Sequence, residues 1–282
     1  MDGLILIDKE RNWTSRDVCN VCQKKFNTKK VGHTGTLDPF ATGLLVITIN
    51  KANKICQFLD DFPKTYIASL KLGEKTTTLD LTGEIIGSKN PSEHTKEEII
   101  EVLNSFLGEI EQIPPMTSAI HYKGRKLYEY AHEGIDVERE ARKVNIYDIS
   151  LLDYQDDTIV FSATVSKGTY IRVLGEDIAS KLNEFGHLKE LRRIKIGNFD
   201  VKDGIKIGDL NSDYPLINIG EALCFLKTYT VSGNMIKKVK DGVKLYLKDI
   251  EDDIIYVKDD LDNPLAIYIR RDDHFVSKRG LW

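Results

Sequence analysis

Asp38 lies in the run Gly32-His33-Thr34-Gly35-Thr36-Leu37-Asp38-Pro39-Phe40-Ala41-Thr42-Gly43-Leu44-Leu45, the stretch of this chain with the most chemistry in it. A single carboxylate stands just before a proline, with hydroxyls and an imidazole around it. Pro39 fixes its own φ and biases Asp38 toward an extended backbone. Glycines at 32, 35 and 43 open backbone conformations closed to other residues, or let a ligand come close. The loop reads as built to hold one acid in a fixed place. The same residue types are also ordinary turn formers. No phosphate-loop lysine follows the glycines, and their spacing does not fit the nucleotide-binding patterns. Spacing alone therefore leaves two readings open, a plain turn and a functional loop.

Two further polar features stand at the edges of regular structure. Tyr66 lies in an alternating run led by Lys64. Arg172 closes the segment Ser166-Lys167-Gly168-Thr169-Tyr170-Ile171-Arg172 and falls in the first turn of a helix. A cation there opposes the helix dipole, so a compensating anion is expected. Asp38 is a candidate, and such a pair would hold the acid ionised by lowering its pKa. The competing reading is an arginine that reaches out to solvent.

The elements that must position these groups follow from periodicity and punctuation. Gly3 to Asp8 reads as a short buried strand. Thr14 or Ser15 caps a helix running from Ser15 to Phe26, with Asp17 in its first turn. Strand Leu44–Ile49 and a short helix near Ala52–Leu59 come next. Lys64 to Leu72 alternates, with Tyr66, Ala68, Leu70 and Leu72 on one side. Thr95-Lys96-Glu97-Glu98 is a capping box that opens a helix ending near Gly108. Ile113-Pro114-Pro115 halts regular structure. From there to about Lys143 the chain is polar, charged and aromatic, with a helix around Leu127–Glu133. Strands resume at Val144–Tyr154 and Thr158–Ser166, followed by a helix from Tyr170 to Leu182 and a strand from His187 to Ile196. After about residue 227 short strand-like runs dominate, namely Ile254–Val257, Leu265–Ile269 and His274–Val276.

The chain has 282 residues, 41% hydrophobic and 30% charged, which suits a globular protein with one large and one small domain. No apolar run reaches the length of a membrane span and no signal segment opens the chain, so a cytoplasmic protein is expected. Cys19, Cys22, Cys56 and Cys224 are too few for a disulfide framework. Cys19 and Cys22 share a helix face and lack the second ligand pair that zinc would need, so they read as buried thiols and no metal site is expected. A net charge of −4 argues against nucleic-acid binding through gross charge. The distribution points the other way. Cations cluster at Lys9, Arg11, Arg16, Lys24, Lys25, Lys29 and Lys30, again at Lys189, Arg192, Arg193 and Lys195, and again in the C-terminal part. Several such clusters are compatible with a phosphate-tracking surface.

With these features assembled, the chain resembles the TruB family of tRNA pseudouridine synthases. Gly32 to Leu45 is similar to that family's catalytic-aspartate segment. Gly3-Leu4-Ile5-Leu6-Ile7-Asp8-Lys9 with Thr14-Ser15 is similar to its N-terminal motif, and Tyr66-Ile67-Ala68 through Leu72-Gly73, with Asp80 to Gly83 after it, to its tyrosine strand. Pro114 to Ile120 and Gly124-Arg125-Lys126-Leu127-Tyr128 resemble the RNA-contacting insertion. Ser166 to Arg172 and Leu191-Arg192-Arg193 resemble the later motifs. The likeness runs in register over roughly residues 1–200. His121 and His132 stand where the family often has basic residues, which bears on RNA grip and its pH response.

The resemblance implies an α+β fold: a mixed, largely antiparallel sheet core with flanking helices and a small C-terminal β domain of PUA-like character. It implies a catalytic domain over 1–227, an RNA-binding insertion at about 109–143 and the small domain over 228–282. The implied reaction is isomerisation of uridine 55 in the tRNA T-loop. Asp38 would be the nucleophile, attacking either the sugar C1′ or C6 of the base. Tyr66 would stack on the base and serve proton removal from C5, and Arg172 would pair with Asp38. His33, Tyr170, Lys9, Arg125, Lys126, Lys167 and Arg192 would contact the RNA. No redox step occurs, so no cofactor is expected. The partner would be the tRNA T-stem-loop, with no membrane, no obligatory protein partner and a monomeric state. The alternative is a non-catalytic tRNA-folding chaperone that uses the same surface.

Overall fold

A computed structural model describes residues 1–282, with the side chain of His132 outside the described residues. Apolar strands with period-two burial make one ten-stranded sheet, whose path runs Ile205–Lys206, Gly3–Lys9, Thr42–Ile49, Gly186–Ile196, Lys64–Leu72, Thr158–Val165, Arg142–Gln155 and Gly108–Gln112. Val31–Thr34 and Phe199–Asp200 pair off this path. Two contacts are parallel, Gly3–Lys9 with Ile205–Lys206 and Thr42–Ile49 with Gly186–Ile196, and the rest are antiparallel. The sheet is thus mixed and mainly antiparallel, as the α+β expectation requires.

Helices cover it because each carries an apolar stripe. Ser15–Lys25 starts at a reciprocal capping box between Thr14 and Asp17 and buries Val18, Cys19 and Cys22. These are core thiols, which burial holds well above the ordinary thiol range at about 11 for Cys19 and about 12 for Cys22. Lys96–Asn104 and Ile171–Lys181 pack beside Leu70, Ile146 and Phe161. At Thr95 only half of the expected capping box forms. Thr95 accepts from the Glu98 backbone, but the Glu98 carboxylate lies 3.1 Å from His94 Nδ1. That helix also ends at Asn104, and the residues before Pro114 return to the sheet as strand Gly108–Gln112.

A second sheet of four strands, Lys227–Val231, Ile254–Asp259, Pro264–Arg271 and His274–Gly280, forms the small C-terminal β domain. It has its own core around Tyr268 and Phe275. It also shares one with the large sheet, where Leu44, Val46, Ala52 and Ile55 pack in one cluster with Tyr256, Ile267 and Leu281. Among the described residues no helix is long and apolar enough to cross a membrane.

Candidate active site

The loop that carries Asp38 is shorter than its glycines suggest. Gly32, His33 and Thr34 belong to a strand antiparallel to Thr42–Ile49, which leaves residues 35–41 as the connection. Gly35 and Gly43 take φ of +71° and +102°, the left-handed region that favours glycine. At Gly43 a Cβ would stand 2.2 Å from the Arg193 carbonyl oxygen, so the closeness of two strands excludes any other residue there.

Three separate elements hold this loop. From the start of its helix, Ser15 Oγ accepts from Leu37 N at 2.9 Å and donates to Leu37 O at 3.2 Å. The Lys9 ammonium, at the end of the first strand, donates to the carbonyls of Glu10, Trp13 and Pro39 at 3.0, 2.8 and 3.3 Å. Arg193, fully buried, donates from Nη2 to Gly35 O and from Nε to Leu44 O, at 2.9 and 2.8 Å. Asp38 is thus placed by backbone clamps on both flanks.

Arg172 does not reach for solvent. It is 4% exposed, and its Nε and Nη2 meet the two Asp38 carboxylate oxygens at 2.9 and 3.1 Å, a bidentate fork. Its remaining donors go to Thr78 O at 3.0 Å and to Thr117. Asp80 approaches Nη1 at 3.7 Å. The first helical turn is therefore compensated by two carboxylates. The expected depression of the Asp38 pKa is overridden. Burial pushes the carboxyl above its ordinary value; Arg172 and Lys9 pull it down, but Asp80 pushes up again. The Asp38 side chain is still a third exposed, so it has an open side.

Tyr66 is buried and packs in one cluster with Leu37, Phe40 and Ala41, the neighbours of Asp38. Tyr170 caps the Arg172 helix. Its backbone N–H donates to the buried Gln112 side chain at 3.0 Å, and burial raises its phenol pKa. His33 is half-buried, with Nδ1 lacking a hydrogen-bond partner, and burial followed by Arg193 lowers its pKa.

The cations expected on RNA are placed differently from one another. Lys9 is 1% exposed and spends its donors on carbonyls, so it clamps the loop and offers nothing to a ligand; burial lowers its pKa to about 8. Arg192 forks onto Asp8, with both contacts at 2.9 Å, and ties two strands together. Lys167 is exposed and bonds Asp61 at 3.0 Å. Arg125 pairs with Glu129 and Glu133 and lies 4.6 Å from the Tyr130 ring centroid. Lys126 stands over Tyr128 at 5.6 Å.

Asp80, Thr117, Ser15 and Arg193 belong to this constellation and were not singled out from the sequence as site residues. Asp80 had a signal. It lies in Thr78-Leu79-Asp80-Leu81-Thr82, where its Oδ1 accepts from Thr78 Oγ1, Thr82 N and Thr82 Oγ1. Leu79 before it takes φ +63°, an outlier for a bulky residue and a mark of an over-determined position. No group of three or more His, Cys, Asp or Glu among the described residues could hold a metal ion. The arrangement offers one carboxylate with an open side, held by an arginine, beside two tyrosines.

Comparison with known proteins identifies the family of the chain. Residues 23–171 match the TruB family pseudouridylate synthase (N terminal domain). The chain is 42% identical to tRNA pseudouridine synthase B of Clostridium tetani, over 90% of this chain and 89% of that one. It is 41% identical to the protein of that name from Caldicellulosiruptor saccharolyticus, over 99% and 95%. Among solved structures, the Cbf5-Nop10-Gar1 complex contains a chain that superposes with a TM-score of 0.76 at 23% identity, covering 99% of this chain and 85% of that one; this is a likeness of fold.

Proposed function

The chain belongs to the TruB family of pseudouridylate synthases, and from that premise we propose that it isomerises uridine 55 in the T-loop of tRNA, with Asp38 as nucleophile. The observation that carries this reading is the Asp38–Arg172 fork, a carboxylate gripped by one buried arginine, a third exposed, on a loop whose backbone three elements clamp. The relatives named tRNA pseudouridine synthase B support tRNA as the substrate.

The reaction conserves atoms and electrons. The N1–C1′ bond breaks, uracil turns, and a C5–C1′ bond forms. C5 loses its proton and N1 ends protonated, so no redox cofactor is required. Asp38 in its carboxylate form supplies the electron pair, at C1′ or at C6 of the base. Arg172 holds that carboxylate in place, and its own position is fixed by Thr78 and Thr117. Tyr66 provides an aromatic face for the detached base, a contact worth about 1–3 kcal/mol, and serves removal of the C5 proton. Flipping the nucleotide costs a few kcal/mol, least in a distorted loop, so the shape of the folded loop selects the substrate. His33 and Tyr170 line the nucleotide. Arg125, Lys126 and Lys167 are the cations left on the outside to meet phosphates, and the C-terminal sheet acts as a PUA-like RNA-binding domain. The enzyme works as a monomer without an obligatory protein partner.

The test is to incubate the protein with one synthetic T-stem-loop and map pseudouridine. Product is expected at the position equivalent to 55, and product elsewhere would overturn the specificity. Asp38→Asn should reduce turnover by at least roughly a thousandfold while RNA binding stays largely intact. Retained turnover would remove Asp38 from its role. Loss of turnover with every cellular function kept would favour the chaperone reading.

A further inference from the structure

Arg172 is completed by a residue of the insertion. A guanidinium has five N–H donors in a fixed planar fork. One edge, Nε and Nη2, grips Asp38 at 2.9 and 3.1 Å. The adjoining edge, Nη2 and Nη1, faces a single residue, Thr117. Its carbonyl accepts from Nη2 at 3.3 Å and its hydroxyl accepts from Nη1. Nη1 also donates to Thr78 O at 3.0 Å. With these contacts every donor has a partner, on a side chain that is 4% exposed.

The segment that carries Thr117 is fastened on both sides. The buried Gln112 side chain accepts from Tyr170 N at 3.0 Å and donates to Tyr170 O at 3.4 Å, two residues before Arg172. Pro114 and Pro115 follow with φ fixed by their rings, so few soft torsions separate Gln112 from Thr117. Arg139, on the returning limb, donates to Pro114 O at 3.1 Å. Beyond Thr117, the carbonyls of Ser118 and Ile120 accept from Tyr128 N and Leu127 N at 3.1 and 2.8 Å, at the start of the helix Leu127–His132. Arg125 and Lys126 stand just before that helix. One short turn thus touches the guanidinium on one side and supports the insertion's cations on the other.

What the Thr117 hydroxyl does follows from its competitor. The Asp80 carboxylate lies 3.7 Å from Nη1, beyond hydrogen-bond distance. A charged acceptor binds a guanidinium N–H more strongly than a neutral one does. Without the hydroxyl, Nη1 would lean toward Asp80 and turn the fork away from Asp38. We infer that Thr117 is a positioning residue for the proposed reaction: from the insertion, it holds Arg172 square to Asp38 against the pull of Asp80. This rests on the functional reading above and deepens it, because the insertion then helps to set the acid as well as to meet RNA.

The test is Thr117→Val, which keeps the shape and removes the hydroxyl, beside Thr117→Ser, which keeps the hydroxyl. On a T-stem-loop, Thr117→Val should lose roughly tenfold to a hundredfold in kcat with KM within about twofold, while Thr117→Ser stays within about threefold of wild type. The charged and titratable groups acting on Asp38 are Arg172, Asp80 and Lys9, with the Tyr170 phenol beside them. A loosened fork weakens the lowering influence of Arg172. The acid limb of single-turnover rates should therefore move to higher pH in Thr117→Val and stay in place in Thr117→Ser. A packing role alone would lower the melting temperature and leave the limb where it is. A second readout needs no turnover: the urea-unfolding midpoints of wild type, Thr117→Val, Asp38→Asn and the double variant. The two substitutions should be non-additive, because both act on Arg172. Wild-type kcat in Thr117→Val, an unmoved limb, a rise in KM alone or additive midpoints would overturn the role of Thr117. If the wild-type chain makes no pseudouridine in the stem-loop, the functional reading itself fails, and the unfolding cycle still decides whether Thr117 holds the fork.

Discussion

At the scale of single residues, the site is an acid whose ionisation is contested. Burial and Asp80 raise the Asp38 pKa while Arg172 and Lys9 lower it, and the net direction is upward. Turnover that needs the carboxylate should therefore fall on an acid limb lying above the ordinary carboxylate value of 3.8. Arg172→Gln removes the largest lowering influence, so its limb should move to higher pH, whereas Arg172→Lys should move it less. Single-turnover rates across pH check this, and a limb that stays put in Arg172→Gln would show that another group titrates. The same shift has a consequence for stability. An acid whose folded-state pKa is raised favours folding in its neutral form, a contribution present below the unfolded pKa and lost as pH rises through the folded one. Asp38→Asn should accordingly melt at or above the wild-type temperature at pH 7, and its advantage should shrink toward pH 3. A lower melting temperature at neutral pH would mean that the fork with Arg172 outweighs the burial of the charge.

At the scale of elements, the loop is precise because a strand end, a helix start and a second strand each hold it. Ser15→Ala leaves the Leu37 N–H and carbonyl without their partner in a buried setting, at a cost of about 1–3 kcal/mol per group. A displacement of the acid by about 1 Å can lower rates roughly a hundredfold. The expected result is a large fall in kcat with KM little changed, read from steady-state kinetics beside a thermal melt; a rise in KM alone would place Ser15 in binding. Much of this element plan was legible beforehand. The period-two run Lys64–Leu72, the capped helix from Ser15 and the acid before Pro39 are local patterns, and the strand, the capping box and the loop follow them. The carboxylate partners of Arg172 were half legible, since a cation at a helix start asks for an anion but does not say how many. Arg192 and Arg193 show what local patterns leave out. Neighbours in a strand point to opposite faces. One therefore forks onto Asp8 while still partly exposed, and the other enters the core behind Gly35. Burial of Lys9 was hidden for the same reason, because its three carbonyl partners come from chain folding back over it.

At the scale of the whole molecule, the C-terminal β domain is not an appendage on a linker. A change of composition near residue 227 suggests a boundary, yet periodicity does not reveal which sheet faces meet. Tyr256, Ile267 and Leu281 complete a core that otherwise belongs to the large sheet through Leu44, Val46 and Ile55. Val46 and Leu44 stand on the strand that begins at the Asp38 loop, so loosening the seam should loosen the strand that carries the site. Leu281→Ala, fully buried at that seam, should cost about 2–5 kcal/mol. With Trp282→Phe as background, Trp13 is the sole tryptophan and reports on the large sheet alone. Its fluorescence should then show the same lowered midpoint as far-ultraviolet circular dichroism, in one transition. Two separated transitions, with Trp13 unaffected by Leu281→Ala, would mean that the domains fold independently and that the shared cluster couples nothing. Coincident transitions would tie the positioning of Asp38 to residues more than two hundred positions away, through a core to which both sheets contribute.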